Sequence, residues 1–259
     1  MSTRAIMHET NRLEAPSVQF VAVDISTPRA PRATVKPAPR RGARSSLSLK
    51  ILMAVTGLLL VGFLYAHMIG NLKIFFGAEA FDHYAHWLRT IGTPLLPQDW
   101  YLWIQRAVLT VALIGHIVSA AILARRARRA RPVRYAHRPK VQASYAARTM
   151  RWGGVIVLLF VIYHVLDLTT GTLNPVGDPA RPYANVVADF APDRWYVTAF
   201  YVLAVVAVGF HLKHGVYSAL RTLGYRGREL AQRVSWAVGV VLVAGFLAVP
   251  FAVLTGLVT

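Results

Sequence analysis

The sequence contains no cysteine among its 259 residues. That absence removes disulfides, thiolate metal sites and a thiol nucleophile together. Any metal held by this chain alone must be bound by His, carboxylate or Met. Charge is also scarce, at 15% of residues, against about 25% in soluble domains. Acids are scarcest of all, with 11 Asp+Glu against 29 Lys+Arg, for a formal charge of +18. No glycine-rich dinucleotide fingerprint opens a helix after a strand, so the chain is not expected to carry dehydrogenation chemistry of its own. What remains is apolar: 55% of residues are hydrophobic and the mean hydropathy is +0.44. The charges are bunched in blocks that leave long apolar runs between them, and the expected solvent is a bilayer.

The first 48 residues form a separate region rich in Pro, Ala, Ser, Thr and Arg, as in Pro28-Arg29-Ala30-Pro31-Arg32 and Pro37-Ala38-Pro39-Arg40-Arg41. They read as a disordered basic arm, a tether available to anionic lipid or a partner subunit. No apolar core precedes Leu47, so no cleaved secretory signal is expected. Residues 49–259 read as an all-α membrane domain. Its five apolar runs, Leu49 to Asn71, Trp100 to Ala124, Trp152 to Thr172, Trp195 to Leu220 and Val234 to Val258, each approach the ~20 residues that cross about 30 Å of hydrocarbon.

The connections divide the charge unequally. Arg125 to Arg151 holds ten Lys/Arg and no acid, whereas Leu72 to Asp99 holds two bases and three acids. Thr172 to Arg194 is also base-poor, with Arg181 and Arg194 set against Asp178, Asp189 and Asp193. Positive-inside bias then predicts a cytoplasmic N-terminus, second loop and Arg221 to Arg233 loop, with the C-terminus outside. Trp100, Trp103 and Trp195 at the outer ends, and Trp152 and Trp236 at the inner ends, fall where an interfacial aromatic belt belongs.

Each of the first four runs carries a histidine well inside it: His67, His116, His164 and His211. An ionisable ring inside a span is costly and marks a functional site by default. Depth can be counted along helices of alternating direction. His67 lies about 17 residues, roughly 25 Å, from the cytoplasmic end of its helix, and His164 about 13 residues, roughly 20 Å, from the same side. His116 and His211 each lie about 16 residues, roughly 24 Å, from the outer end. Two pairs at two depths follow, in a core of four helices. Imidazoles facing each other across a bundle supply the axial ligation of a six-coordinate haem. Without thiols the haem would be non-covalent b-type. Gly62 and Gly70 around His67, Gly115 beside His116, and Gly209 and Gly215 around His211 offer room for a flat macrocycle or, equally, for close helix packing.

From Ser46 to Thr259 the chain resembles the five-helix, dihaem cytochrome b membrane-anchor subunits of succinate:quinone oxidoreductase, in particular the succinate dehydrogenase anchors of actinobacteria. The carriers are Ala66-His67-Met68-Ile69-Gly70-Asn71-Leu72-Lys73, Gly115-His116, Tyr163-His164-Val165-Leu166-Asp167-Leu168-Thr169 and Phe210-His211-Leu212-Lys213-His214-Gly215. The resemblance implies two haem b groups, one between His67 and His164 toward the outside and one between His116 and His211 toward the inside. It also implies a quinone of menaquinone type as substrate, and flavoprotein and iron–sulfur partner subunits docked on the cytoplasmic face of the plasma membrane. Beside the partners only membrane lipid is expected, and no nucleic acid.

His214, one turn from His211, is a competing ligand; the resemblance favours His211, leaving His214 for a propionate, a quinone headgroup or solvent. Lys73, Arg106 and Lys213 could pair with propionates or snorkel to the interface. Quinone chemistry needs a proton partner, for which Asp167, the one carboxylate inside a span, and His86 and His83 of the first outer loop are candidates. Their bland alternatives are an end cap for Asp167 and an exposed amphipathic helix for the two histidines. Arg125-Arg126-Ala127-Arg128-Arg129 could meet the soluble partners or simply set topology and contact anionic lipid. Two other functions stay open. One is the same anchor role with a Rieske-type cluster in place of haem, its thiolates coming from a partner. The other is a non-redox transporter or scaffold whose histidines relay protons.

Overall fold

A computed structural model describes residues 45–130 and 142–259. The expected basic arm up to residue 44, and residues 131–141 of the arginine-rich connection, lie outside the described residues.

Helix α1 (Ser46–Asn71) begins where the Ser45 side chain accepts from the Ser48 backbone N–H at 3.1 Å, satisfying one of the orphan donors of a first turn. The run continues as a 3-10 turn, Leu72–Phe76, and stops at Gly77, whose φ of 92° suits glycine alone. α2 (Ala78–Thr90) is amphipathic; it buries Phe81 and exposes His83, His86 and Trp87. α3 (Trp100–Arg129) ends on Arg126, Arg128 and Arg129, cations that favour a helix C-terminus. α4 (Gln142–His164) widens into a π turn, Val165–Thr169. α5 (Pro182–Asp189) opens with proline at its first position, where the missing N–H costs nothing. α6 (Trp195–Thr222) and α7 (Arg228–Leu254) complete the chain.

Five stretches are long and apolar enough to cross a membrane: Ser46–Phe76, Trp100–Arg129, Met150–Thr169, Pro192–Thr222 and Arg228–Leu254. Among the described residues there is no strand. The architecture is an all-α bundle of five membrane helices with two short helices at one end. Helix limits differ from the apolar runs because hydropathy marks the hydrocarbon, whereas the backbone ladder runs on into polar sequence. α7 starts at Arg228, six residues before Val234, and α3 runs five residues past Ala124.

α1 and α6 are the central pair. α1 packs on α3, α6 and α7, while α6 packs on α7, α1 and α4. The closest approach is between α6 and α7, where a Cβ on Gly239 would come 3.1 Å from the Gly209 carbonyl oxygen. Small residues at a membrane-helix crossing let backbones meet, and there packing rather than exclusion of water drives association. Leu242, 1% exposed among Met68, Leu212 and Phe246, fills the adjacent layer.

The two ends of the bundle differ. Ser46 of α1 accepts from Arg126 of α3 at 3.0 Å, at the end that carries most of the arginines. At the opposite end α2 packs on the 3-10 turn, on α5 and on the start of α3. Asp82 of α2 accepts from the Tyr183 N–H at 2.8 Å, and Arg89 donates to the Pro179 carbonyl at 3.0 Å. The Tyr183 hydroxyl donates to the Thr259 carbonyl, so the C-terminus belongs to this capped end. Beneath the cap Ile74, Phe81, Phe190, Val197, Tyr201, Val249, Ala252, Val253 and Val258 form one apolar cluster.

Candidate cofactor site

α1 brings His67 against His164 of α4, with ring centroids 5.8 Å apart and planes at 79°. α3 brings His116 against His211 of α6, at 6.3 Å and 66°. A metal between two imidazoles needs about 2 Å to each nitrogen and roughly 1 Å more to each ring centre, about 6 Å in all. Both pairs have that spacing. Because the two partners in each pair come from different helices, neither pair could be recognised from local spacing.

The depths follow from neighbours. A Cβ on Gly57 would lie 3.1 Å from His116 Cε1, and one on Gly154 would lie 3.6 Å from His211 Cε1. Gly57 precedes His67 by ten residues on α1, and Gly154 precedes His164 by ten on α4. Ten helical residues are about 15 Å, so the pairs stand one above the other by about that distance. His116/His211 lies toward the basic end and His67/His164 toward the capped end.

The second nitrogen of each ring decides what the first can do. His116 Nδ1–H donates to the Met53 carbonyl at 3.0 Å, which leaves Nε2 as the free lone pair, the usual outer support of a ligating histidine. Thr56 is close to the same nitrogen at 3.5 Å. His211 Nδ1 is buried and has no hydrogen-bond partner among the described residues. Buried polar atoms without partners are uncommon, and functional sites are one of their homes. His164 Nδ1 lies 3.4 Å from the Tyr201 hydroxyl. His67 is packed between Phe63 at 5.5 Å and Phe246 at 5.8 Å.

The glycines expected around the histidines are arranged differently. An added Cβ at Gly62 would meet nothing, Gly115 and Gly215 make only ordinary contacts, and Gly70 faces Tyr84. Gly209 serves the α6–α7 crossing. The residues that give the rings room are Gly57 and Gly154, on helices opposite those that carry the rings. Lys73, Arg106 and Lys213 each rest on an aromatic ring, of Tyr84 at 5.0 Å, Trp103 at 4.9 Å and Trp236 at 3.6 Å respectively. His214 Nδ1–H donates to the Phe210 carbonyl of its own helix at 3.0 Å and is stacked on no other histidine. His83 and His86 stay on the exposed face of α2.

Asp167 is turned fully inward, 0% exposed, by the π turn that follows His164; such turns recur at functional sites. Its Oδ2 accepts from the Tyr201 hydroxyl at 2.8 Å. Asp189, at the end of α5, is also 0% exposed, lies beside the Asp167 carboxyl and accepts from Arg194 Nη2 at 2.9 Å. Burial first, then Asp167 beside it, push the Asp189 carboxyl up to about 7, against the opposing pull of Arg194. Sequence reasoning took Asp189 and Arg194 only as loop charges and did not single out Tyr201. Among the described residues no group of three or more His, Asp or Glu gathers as a metal site, so the paired imidazoles are the arrangement that suits an axial cofactor.

Fold and site together define a multi-pass helical membrane protein with two facing histidine pairs stacked along its bundle. The chain is similar to the succinate dehydrogenase cytochrome b558 subunit of Bacillus subtilis (strain 168), at 26% identity over 192 residues that cover 74% of this chain and 87% of that protein. No protein-family model matches the chain, and no solved structure matches it.

Proposed function

We propose that the chain is the cytochrome b membrane-anchor subunit of a succinate dehydrogenase and passes electrons from an iron–sulfur partner through two b haems to a membrane quinone. The observation that carries this reading is the pair of pairs: His67/His164 at 5.8 Å and His116/His211 at 6.3 Å, about 15 Å apart in depth. Similarity to a cytochrome b558 subunit over most of both chains supports it. Bound between such imidazoles, haem supplies one-electron transfer at two levels of the bilayer.

The chain's own contribution is placement. Met53 fixes the His116 tautomer through its carbonyl, and Gly57 and Gly154 let the rings of the basic-end pair stand between helices. Phe63, Phe246 and Phe160 brace the capped-end pair and keep water from it. By the positive-inside rule the basic end is cytoplasmic, which puts the N-terminus inside, the C-terminus outside, and the flavoprotein and iron–sulfur partners against the arginine-rich face. The quinone, of menaquinone type, reacts near the capped end, with Asp167 as its proton partner and His86 and His83 on the exposed approach. His214 stands near the basic end as a polar neighbour of the inner haem.

The test is optical and stoichiometric. Reduced-minus-oxidised spectra of the purified complex should show a b-type alpha band, with about two haems per chain. An iron–sulfur resonance assigned to this chain without haem would replace haem by a Rieske-type cluster, and neither signal would leave a membrane scaffold. Co-purification of a flavoprotein and an iron–sulfur subunit tests the assembly.

A further inference from the structure

A continuous polar chain leaves the capped-end histidine pair. His164 Nδ1 is 3.4 Å from the Tyr201 hydroxyl, which donates to Asp167 Oδ2 at 2.8 Å; the Asp189 carboxyl lies beside Asp167, and its Oδ1 accepts from Arg194 at 2.9 Å. Both carboxyls are 0% exposed, yet among the described residues Asp167 Oδ1 and Asp189 Oδ2 have no donor. Two carboxylates side by side in one dry site repel, and the repulsion drives the pair to keep one proton. Arg194 is the outlet, with its side chain 22% exposed, and Nε also donates to the Asp189 carbonyl at 3.3 Å.

We propose that Asp167 and Asp189 share one proton and form, with Tyr201, the relay that carries quinone-linked protons between the capped-end site and the outer aqueous phase. The inference rests on the proposed quinone reaction and adds the route its protons take. When a quinol gives up two electrons and two protons, each proton needs an acceptor. Tyr201 takes one on its oxygen as its own hydroxyl proton passes to Asp167 Oδ2. The shared proton then moves wholly onto Asp189, which releases it beside Arg194. One proton enters at Tyr201, one leaves at Asp189, and Tyr201 never stands ionised. Run backward, the same steps supply a quinone being reduced.

The groups facing the pair are few. α4 contributes Tyr163 and His164, α6 Tyr201, and the turn before α6 Arg194. α7 and α5 add Val249, Ala252, Val253, Val186 and Val187 to the apolar cluster that includes Tyr201. With one proton on the pair, the pair and Arg194 sum to zero charge, the cheapest state for a buried cluster. The raised Asp189 carboxyl fits that state.

Infrared difference spectroscopy of the intact complex, oxidised against reduced, tests the idea with Asp189→Asn and Asp167→Asn. Each variant is isosteric and carries the charge of the singly protonated pair, so folding and haem content are retained. In the natural protein a deuterium-sensitive carbonyl stretch of a protonated carboxylic acid should respond to the redox step. Both variants should lose it, because the remaining carboxylate then faces an amide donor or Arg194. Succinate–quinone turnover should fall roughly tenfold to a hundredfold in each, while transfer from succinate to a water-soluble dye at the partner subunits is kept. A band that survives both substitutions, or quinone turnover equal to the natural protein's in either, overturns the relay. A natural complex without haem or quinone turnover overturns the function proposed above, and the relay's use with it, whatever its infrared spectrum.

Discussion

The two histidine pairs share one ligand chemistry and stand in opposite surroundings. The basic-end pair is held by a backbone carbonyl at His116 and by glycines on facing helices. The capped-end pair is wedged among Phe63, Phe160, Phe246 and Tyr201, and through Tyr201 it reaches two buried carboxyls and an arginine. On the proposed function, the first setting suits a site that handles electrons alone. The second couples electrons to protons, since there Tyr201 links the His164 ring to the buried Asp167 carboxyl.

The strongest way to break this comparison is to remove one pair. His211→Ala or His116→Ala is expected to lower haem content from about two per chain to about one, sparing the capped-end haem. Loss of both or of neither would show that the pairs are not separate units. Tyr201→Phe should leave both haems in place. It deprives the buried Asp167 of its donor, a loss of about 1–3 kcal/mol, which is measured as a lower unfolding midpoint together with a spectral shift confined to the capped-end haem. A shift in the other haem would mean that the two settings communicate. Gly57→Ala places a methyl 3.1 Å from His116 Cε1, tight enough to push the ring by tenths of an ångström, whereas Gly154→Ala at 3.6 Å from His211 makes ordinary contact. The first should perturb the basic-end haem spectrum and the second should be nearly silent.

The smallest expected effect is on pH dependence. The Asp189 carboxyl titrates at about 7 in the folded protein, above its ordinary value of 3.8. Between those values the native chain binds more protons than the unfolded one, so this group makes stability fall as pH rises through the window. Asp189→Asn should flatten that slope in unfolding measurements made from pH 4 to 7. An unchanged slope would mean that the carboxyl is already ionised and held by Arg194 alone.

Much of the architecture was legible because a bilayer imposes a length and a polarity on any helix that crosses it. The five runs needed no partner to be recognised, and counting residues from their ends placed four histidines at two depths. The glycines that crowd the rings went unnoticed for a related reason. Sequence neighbours of a helical histidine lie on its own helix, while the residue that must be small is the one the ring points at, and Gly57 and Gly154 belong to other helices. Tyr201 lay inside an apolar run, and Asp189 and Arg194 lay in a loop whose charges were weighed only for their sign. Asp167 stood out as a carboxylate within a span, but its partner comes from α5, a two-turn helix with no apolar signature long enough to notice.

The sequence by itself determined five membrane helices, a basic end, the absence of thiol chemistry and the histidines available at each level, because hydrophobic length and charge bias act on each segment independently. Only the tertiary structure decided how the rings are oriented to one another, which glycines make way for them, and that Tyr201, Asp167, Asp189 and Arg194 gather in one buried cluster. Those relations depend on how helices far apart in sequence rotate and pack, and on the π turn, Val165–Thr169, in which Asp167 is buried.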